Sequence, residues 1–384
     1  MNAVVLSGGG AFGAYEVGVM KALFEGRVSN TRGPLEVGIF TGTSVGAFSS
    51  AIMAMQGGTP GGDALARLEQ IWLDKIAAIP NGVMRFLPDP LPYLNPLAMA
   101  AHPRRALETM VRDSLILAQY GYHRGAAFLS SRRGIASRAV ELVALSSLVS
   151  VDPLRDTIKN EISIDQIRTS PLALRIAATD WESGECRIFT NPDITCDVIL
   201  ASTSLPGVFP PVQFDNSTFI DGGATMNTPL KPAIEAGADV IHIISLDAHL
   251  HAVPAAELDC TFEALLRAFN ISVAIAIRED MASAAWINDG IDAFERARRG
   301  GELGSKELRE FVRVASKLEE RARRETGLRK ITIHHYHPSE NLGGPAALLD
   351  FRRPVLSDWM VRGYEDAITH DCRDSGCVLA EPPN

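Results

Sequence analysis

Short apolar runs closed by glycine alternate with longer segments in which apolar residues recur every three or four places. "AVVLS" (Ala3 to Ser7) is wholly apolar until its last residue and stops at three glycines, the pattern of a strand buried on both faces. Tyr15, Val19, Ala22 and Leu23 then fall at helical spacing. "VGIF" predicts a second buried strand, and "VGAFSSAIMAM" an apolar helix stopped by Gly57 and Gly58. Residues 64–79 predict a further amphipathic helix. Strand and helix alternating at this spacing give an α/β fold, a central and mostly parallel sheet with helices on both faces.

The regular pattern stops between Pro80 and Asp156. "IPNGVMRFLPDPLPYLNPL" holds too many prolines for a central strand or a long helix, so 80–156 is expected to be a helical, proline-rich insertion on the sheet. Alternation returns with "LALRIAATD", "CRIF" and "STFIDGG", and "LKPAIEAGADVIHIISL" predicts helix, glycine turn and buried strand. Two or three long helices are expected over 262–325, where Leu308, Phe311, Val312, Ala315 and Leu318 make an apolar stripe. "KITIHHYH" reads as a late strand and "PVLSDWMVRGYEDAITH" as a last helix. Residues 1–370 thus read as one domain, with 371–384 as a loose tail.

Composition narrows the class of function. The chain has 384 residues, 46% hydrophobic and 22% charged, an ordinary globular balance. A net charge of −9 argues against nucleic acid as a partner. Five cysteines at 186, 196, 260, 372 and 377 show no metal-finger spacing, and free thiols in a reducing compartment are expected. No leader pattern opens the sequence and no apolar run approaches ~18 residues, so a cytoplasmic protein with at most peripheral membrane contact is expected.

Three short stretches carry chemistry. In "GTSVGA", Ser44 lies between Gly42 and Gly46 where a strand meets a helix. That context suits a sharp elbow that lifts a nucleophilic hydroxyl to the mouth of the sheet, but a serine that merely starts the helix fits as well. "SGGGAFG" places Gly8, Gly10 and Gly13 at dinucleotide-loop spacing. The acidic residue that such a loop wants about 20 residues on is missing, because Glu25 falls in the first helix and Glu36 begins a strand. The same glycines also suit an anion nest for an acyl oxyanion. In "FIDGGATMNTPL", Asp221 is either a base pointing at the rim that holds Ser44 or the first residue of a simple turn. The histidines offer no clear base: His242 is mid-strand, and His334, His335 and His337 alternate across a strand, which speaks against a shared metal site. No metal and no cofactor are expected.

The order glycine loop, serine elbow, Asp-Gly-Gly resembles the patatin-like phospholipase family. "LSGGGAFGAYEVGVMKAL", "GTSVGA" and "ASTSLPGVFPP" with "FIDGGATMNTPLKPAIEAGAD" carry the likeness, down to Asn227 and Pro229. "LLDFRRP" and "RGYEDA" echo its closing segment, while the insertion and the 262–325 helices lie outside the likeness. The resemblance implies a three-layer α/β/α fold and a lipid acyl hydrolase of phospholipase A or lysophospholipase type. It implies Ser44 as nucleophile and Asp221 as base, without histidine or metal. Gly8, Gly9, Gly10 and Ala11 would form the oxyanion hole, and Gly42, Gly46, Gly222 and Gly223 would support the two turns. Many members carry Arg or Lys at the position of Phe12. An acyltransferase with the same dyad, an oxidoreductase on the Gly8–Gly13 loop, and a catalytically silent binding protein are the alternatives.

A lipid substrate requires contact with a lipid surface. Residues 81–138 hold eight arginines against three acids, beside Phe86, Leu87, Leu91, Tyr93, Leu94 and Leu97, which suits an anionic membrane. Changing Arg104, Arg105, Arg132 and Arg133 together to Glu is expected to weaken binding to anionic liposomes and to spare hydrolysis of a short soluble ester. Vesicle co-sedimentation checks this, and unchanged binding would reject the membrane reading of this segment.

Overall fold

The computed structural model describes residues 1–31, 33–55, 62–77, 82–86, 149–246, 261–299 and 329–380, with isolated positions at 111, 114, 118, 313 and 317. Among the described residues, ten strands run in chain order: β1 Asn2–Leu6, β2 Ile39–Thr43, β3 Arg85–Phe86, β4 Val149–Ser150, β5 Ala173–Asp180, β6 Cys186–Thr190, β7 Val212–Phe214, β8 Ser217–Asp221, β9 Val240–Ile244 and β10 Thr332–Tyr336. Eight of them form one sheet in the order β10-β9-β1-β2-β5-β8-β7, with β6 also on β5. β10, β9, β1, β2 and β5 run parallel to one another, and β6, β7 and β8 join antiparallel.

Helices cover both faces. Val4, Leu6 and Phe40 face the core built by helices Gly13–Phe24, Val45–Met55, Gly62–Ile71 and Arg353–Ile368. Ala3, Val5 and Ile39 face the opposite way, onto helices Leu230–Glu235 and Thr261–Arg299. Ala3 to Leu6 of β1, and Ile39 and Phe40 of β2, are therefore apolar at successive positions, because neither face meets water. The three-layer α/β/α architecture expected from the alternation is the one observed. Helices Gly13–Phe24 and Arg353–Ile368 touch backbone to backbone, since a Cβ at Gly18 would strike Met360 and one at Gly363 would strike Tyr15. Tyr15 Oη donates to Asp366 Oδ2 at 3.0 Å across the same contact.

Within the stretch where two or three helices are expected, one helix runs unbroken from Thr261 to Arg299, and most of 300–328 lies outside the described residues. The tail expected to be loose is ordered as far as residue 380. Val378 pairs with Ile333 of the edge strand β10 and is buried, a backbone pairing that local polarity does not signal. Most of the insertion, with its leucines and the four arginines named above, also lies outside the described residues. Its two ends are joined by the short antiparallel ribbon β3–β4.

Candidate functional site

The register of β5 builds the site. β6 lies along β5 from Arg175 to Thr179, β2 from Ala173 to Ala177, and β8 from Ala178 to Asp180. A strand has only two edges, so β2 and β8 must share the one opposite β6. They run toward each other along it and end together: Thr43 pairs with Ala177, and Asp221 pairs with the next residue, Ala178. The residue after Thr43 is Ser44. Sheet pairing thus brings together two side chains 177 residues apart in the chain.

Ser44 sits at φ 56°, a left-handed conformation that a non-glycine residue adopts at a cost, and the helix Val45–Met55 starts directly after it. The turn closes this tightly because Gly42 and Gly46 lack side chains. A Cβ on Gly42 would strike the Gly46 carbonyl, and one on Gly46 would strike the Leu6 carbonyl. Ser44 Oγ donates to Asp221 Oδ2 at 2.6 Å. Its hydroxyl is thus committed to the acid, not to capping the helix. The other carboxylate oxygen, Oδ1, accepts the Gly223 N–H at 2.7 Å. Asp221 is therefore a turn residue and the serine's partner at once. A Cβ on Gly222 would strike the Ala177 carbonyl, so this turn too must be bare.

Asp221 is 2% exposed, and burial raises its carboxyl to about 7, against the lowering effect of the bonds from Ser44 and Gly223. Sequence reasoning missed the supports behind the pair. Ser202 Oγ accepts the Ser44 N–H at 2.9 Å and donates to the Ala177 carbonyl at 2.7 Å, which ties the elbow to β5. Thr179 Oγ1 donates to the Asp221 carbonyl at 3.0 Å, and Asp221 N–H donates to the Ser204 carbonyl at 2.9 Å. The only local signal was the run of Ser and Thr in "ASTS", which reads as the frayed end of a helix.

The glycine loop faces the pair. Gly8 corrects the expected donor set: its N–H donates to the Asn227 carbonyl at 3.1 Å, so it is not available to an oxyanion. Asn227 Nδ2 returns a bond to the Gly8 carbonyl at 3.1 Å, and a side chain on Gly8 would run into Asn227 and Ser44. The loop then turns at Gly10, with φ 58° and a Cβ position blocked by the Leu348 carbonyl. Gly9, Gly10 and Ala11 place their amides ahead of the first bond of this turn, from Phe12 N–H to the Gly9 carbonyl at 3.2 Å. Gly13 packs on Val45 and Trp72, which gives the third glycine of the dinucleotide pattern a packing role. β2 ends at Thr43, just before Ser44, and carries no acid for a ribose. Phe12 is buried and stacks edge-on against Trp359, with centroids 5.0 Å apart.

A cleft opens between the loop and the pair. Its walls are apolar, among them Phe12, Phe48, Trp72, Leu205, Phe209 and Phe351. Val83 and Leu154, near the two ends of the insertion, also line it.

A parallel sheet with a strand–elbow–helix serine at its carboxyl edge defines the broad class of α/β proteins to which this chain belongs. The model of the family described as "Patatin-like phospholipase" matches residues 4–234, well over half of the chain, and the protein is a member of that family. Lipid acyl hydrolysis is the general activity that membership supports. Among solved structures, VipD from Legionella pneumophila is similar over 94% of this chain and 66% of its own, with 15% identity and a TM-score of 0.33. Among the described residues, no helix is long and apolar enough to cross a membrane.

Replacing Ser202 by Ala leaves the Ser44 N–H and the Ala177 carbonyl without their buried partner. A loss of about 1–3 kcal/mol is expected by urea denaturation. An unchanged midpoint would mean that the elbow does not depend on this bond.

Proposed function

We propose that the protein is a serine esterase of phospholipase A or lysophospholipase type, working through an acyl-enzyme on Ser44 with Asp221 as its base. The observation that carries this reading is the 2.6 Å bond from Ser44 Oγ to Asp221 Oδ2, set at the floor of an apolar cleft. Ser44 Oγ bonds to the ester carbonyl carbon while its proton passes to Asp221 Oδ2. The amides of Gly9, Gly10 and Ala11 hold the oxyanion that forms, an arrangement in which one donor is typically worth ~3 kcal/mol of barrier. Collapse breaks the ester bond, and the alcohol leaves with the proton from Asp221. Water then gives its proton to Asp221 and adds to the acyl carbon, and the fatty acid departs as Ser44 recovers its hydrogen.

One feature supports a lipid acyl group: the cleft walls carry aromatic and aliphatic side chains. Among the described residues that line the cleft none is a histidine, and Asp221 is the carboxylate in contact with Ser44 Oγ. The roots of the insertion at Val83 and Leu154 stand on the cleft rim, which suits the reading of 81–138 as its membrane-facing cap. The lipid class and acyl position follow from identifying the fatty acid and the residual lipid released from mixed phospholipids. Transfer to an added alcohol in preference to water would mark the acyltransferase alternative.

A fluorophosphonate probe is expected to label Ser44 and to leave Ser44→Ala unlabelled, as tandem mass spectrometry of the adduct checks. A label elsewhere, or none on native protein, would reject the nucleophile.

The base must be ionised to act, so kcat/KM for a soluble ester is expected to rise with pH through an apparent pKa of about 7. The sign for stability is opposite. A carboxyl raised in the folded state binds its proton more tightly there than in the unfolded chain. Its stabilising contribution is full below the unfolded value of about 3.9 and is lost as pH climbs from there to about 7. Asp221→Asn is therefore expected to lose about 100- to 10,000-fold in turnover while unfolding no more easily than the native protein at pH 8. Native turnover in this variant would remove Asp221 from the mechanism.

A further inference from the structure

Four metal-ligating side chains meet at the edge of the sheet, in a place the proposed reaction does not use. His334 lies on β10, His370 follows the helix Arg353–Ile368, and Cys372 and Cys377 lie in the segment after it. Their donor atoms all fall within 4.8 Å of one another. Cys372 Sγ is 3.4 Å from His334 Nδ1 and 3.5 Å from His370 Nε2, and Cys377 Sγ is 3.4 Å from His370 Nε2. In a tetrahedral site with metal–sulfur bonds of ~2.3 Å and metal–nitrogen bonds of ~2.0–2.1 Å, the sulfur–nitrogen edge is ~3.5 Å. We propose that His334, His370, Cys372 and Cys377 form a closed Cys2His2 site for a divalent cation of the zinc class, which clamps the C-terminal segment to β10.

Hydrogen bonding alone accounts poorly for this geometry. His370 Nε2 has one lone pair but faces two thiols at nearly equal distance. Cys372 has one proton but faces two imidazole nitrogens. A single cation at the centre satisfies all four groups. N–H groups also point at both sulfurs: the His335 amide lies 3.2 Å from Cys377 Sγ, and Asn30 Nδ2 lies 3.8 Å from Cys372 Sγ. Such donors favour thiolates and recur around metal-bound cysteines. Both histidines are buried.

The coordination balances. The two thiols release their protons to solvent as two sulfur–metal bonds form, and each imidazole gives one nitrogen lone pair. Nothing is oxidised or reduced. Two thiolates cancel the charge of a divalent ion, so the half-buried site is neutral. Four protein ligands leave no open position, as in structural sites and unlike catalytic ones. The loop is shaped for the purpose: it turns back at Gly376, with φ 69°, and Cys377 is followed at once by Val378, paired with Ile333. The clamp thus holds the pairing that covers part of the exposed edge of β10, and it secures the end of the helix whose Trp359 braces Phe12.

The inference is independent of the proposed esterase mechanism, and its test reads metal and not activity. The untagged full chain, purified from zinc-supplemented cells and desalted, is analysed by inductively coupled plasma mass spectrometry. About one zinc per chain is expected in native protein and in Ser44→Ala, and less than about a tenth of that in Cys372→Ser/Cys377→Ser. If the double variant does not fold, native protein stripped with a chelator and titrated with cobalt gives the same answer. Tetrahedral d–d bands and a thiolate-to-cobalt charge-transfer band should saturate near one equivalent and vanish on adding zinc. Stripping is also expected to lower the melting temperature. Metal-free native protein that gives no cobalt bands, or a Cys372–Cys377 disulfide in freshly isolated chain, would overturn the site. A bound metal whose removal leaves the melting temperature unchanged would overturn the clamp.

Discussion

The geometry of this protein rests on one shared edge of β5. β2 and β8 approach along it from opposite directions and stop one residue apart, at Ala177 and Ala178. Everything chemical follows from that collision. Ser44 must turn away sharply because the edge ahead is occupied, and Asp221 arrives where the turn begins. The glycines on both sides are bare because backbone passes where side chains would be. Ser202 then fastens the elbow to the same stretch of β5 through the Ala177 carbonyl. The arrangement needs no long-range motion to assemble, since backbone pairing sets the distance between hydroxyl and carboxylate.

The same packing sets the electrostatics. A carboxylate 2% exposed is costly to ionise, and only two hydrogen bonds offset the burial of Asp221. The result is an acid lifted to about 7, near the value that suits a base at neutral pH. On the proposed reading of Asp221 as the base, stability is given up at the same residue that would serve the reaction. The glycine loop follows a similar logic. Gly8 uses both its amide and its carbonyl on Asn227, while Gly9 and Gly10 line the cleft beyond it.

Much of this was legible in the sequence, and what was missed has a common cause. The runs at Ala3 and Gly38 are apolar at every position because both faces of β1 and β2 are covered, so the parallel sheet could be read directly. Ser44, Asp221 and the glycine loop each had a local signature, and their order joined them. The role of Ser202 was invisible, because a serine at a helix end looks the same whether or not a strand passes behind it. The engagement of Gly8 by Asn227 spans 219 residues, and no periodicity reports it. The C-terminal segment looked loose because it is short and polar, yet a backbone pairing to Ile333 and a cluster of sulfur and nitrogen atoms hold it in place. His334 and His335 were set aside because neighbours on a strand face opposite ways. That reasoning is sound for the two of them, and silent about partners brought from the chain end.

The most direct measurement of the central claim is a crystal structure of the protein after reaction with a long-chain alkyl fluorophosphonate. The expected result is phosphorus bonded to Ser44 Oγ, its oxygen among the amides of Gly9, Gly10 and Ala11, Asp221 within hydrogen-bond reach, and the alkyl chain along Phe48, Trp72 and Phe209. Phosphorus on another residue, or its oxygen turned away from the glycine loop with Asp221 out of reach, would contradict the account.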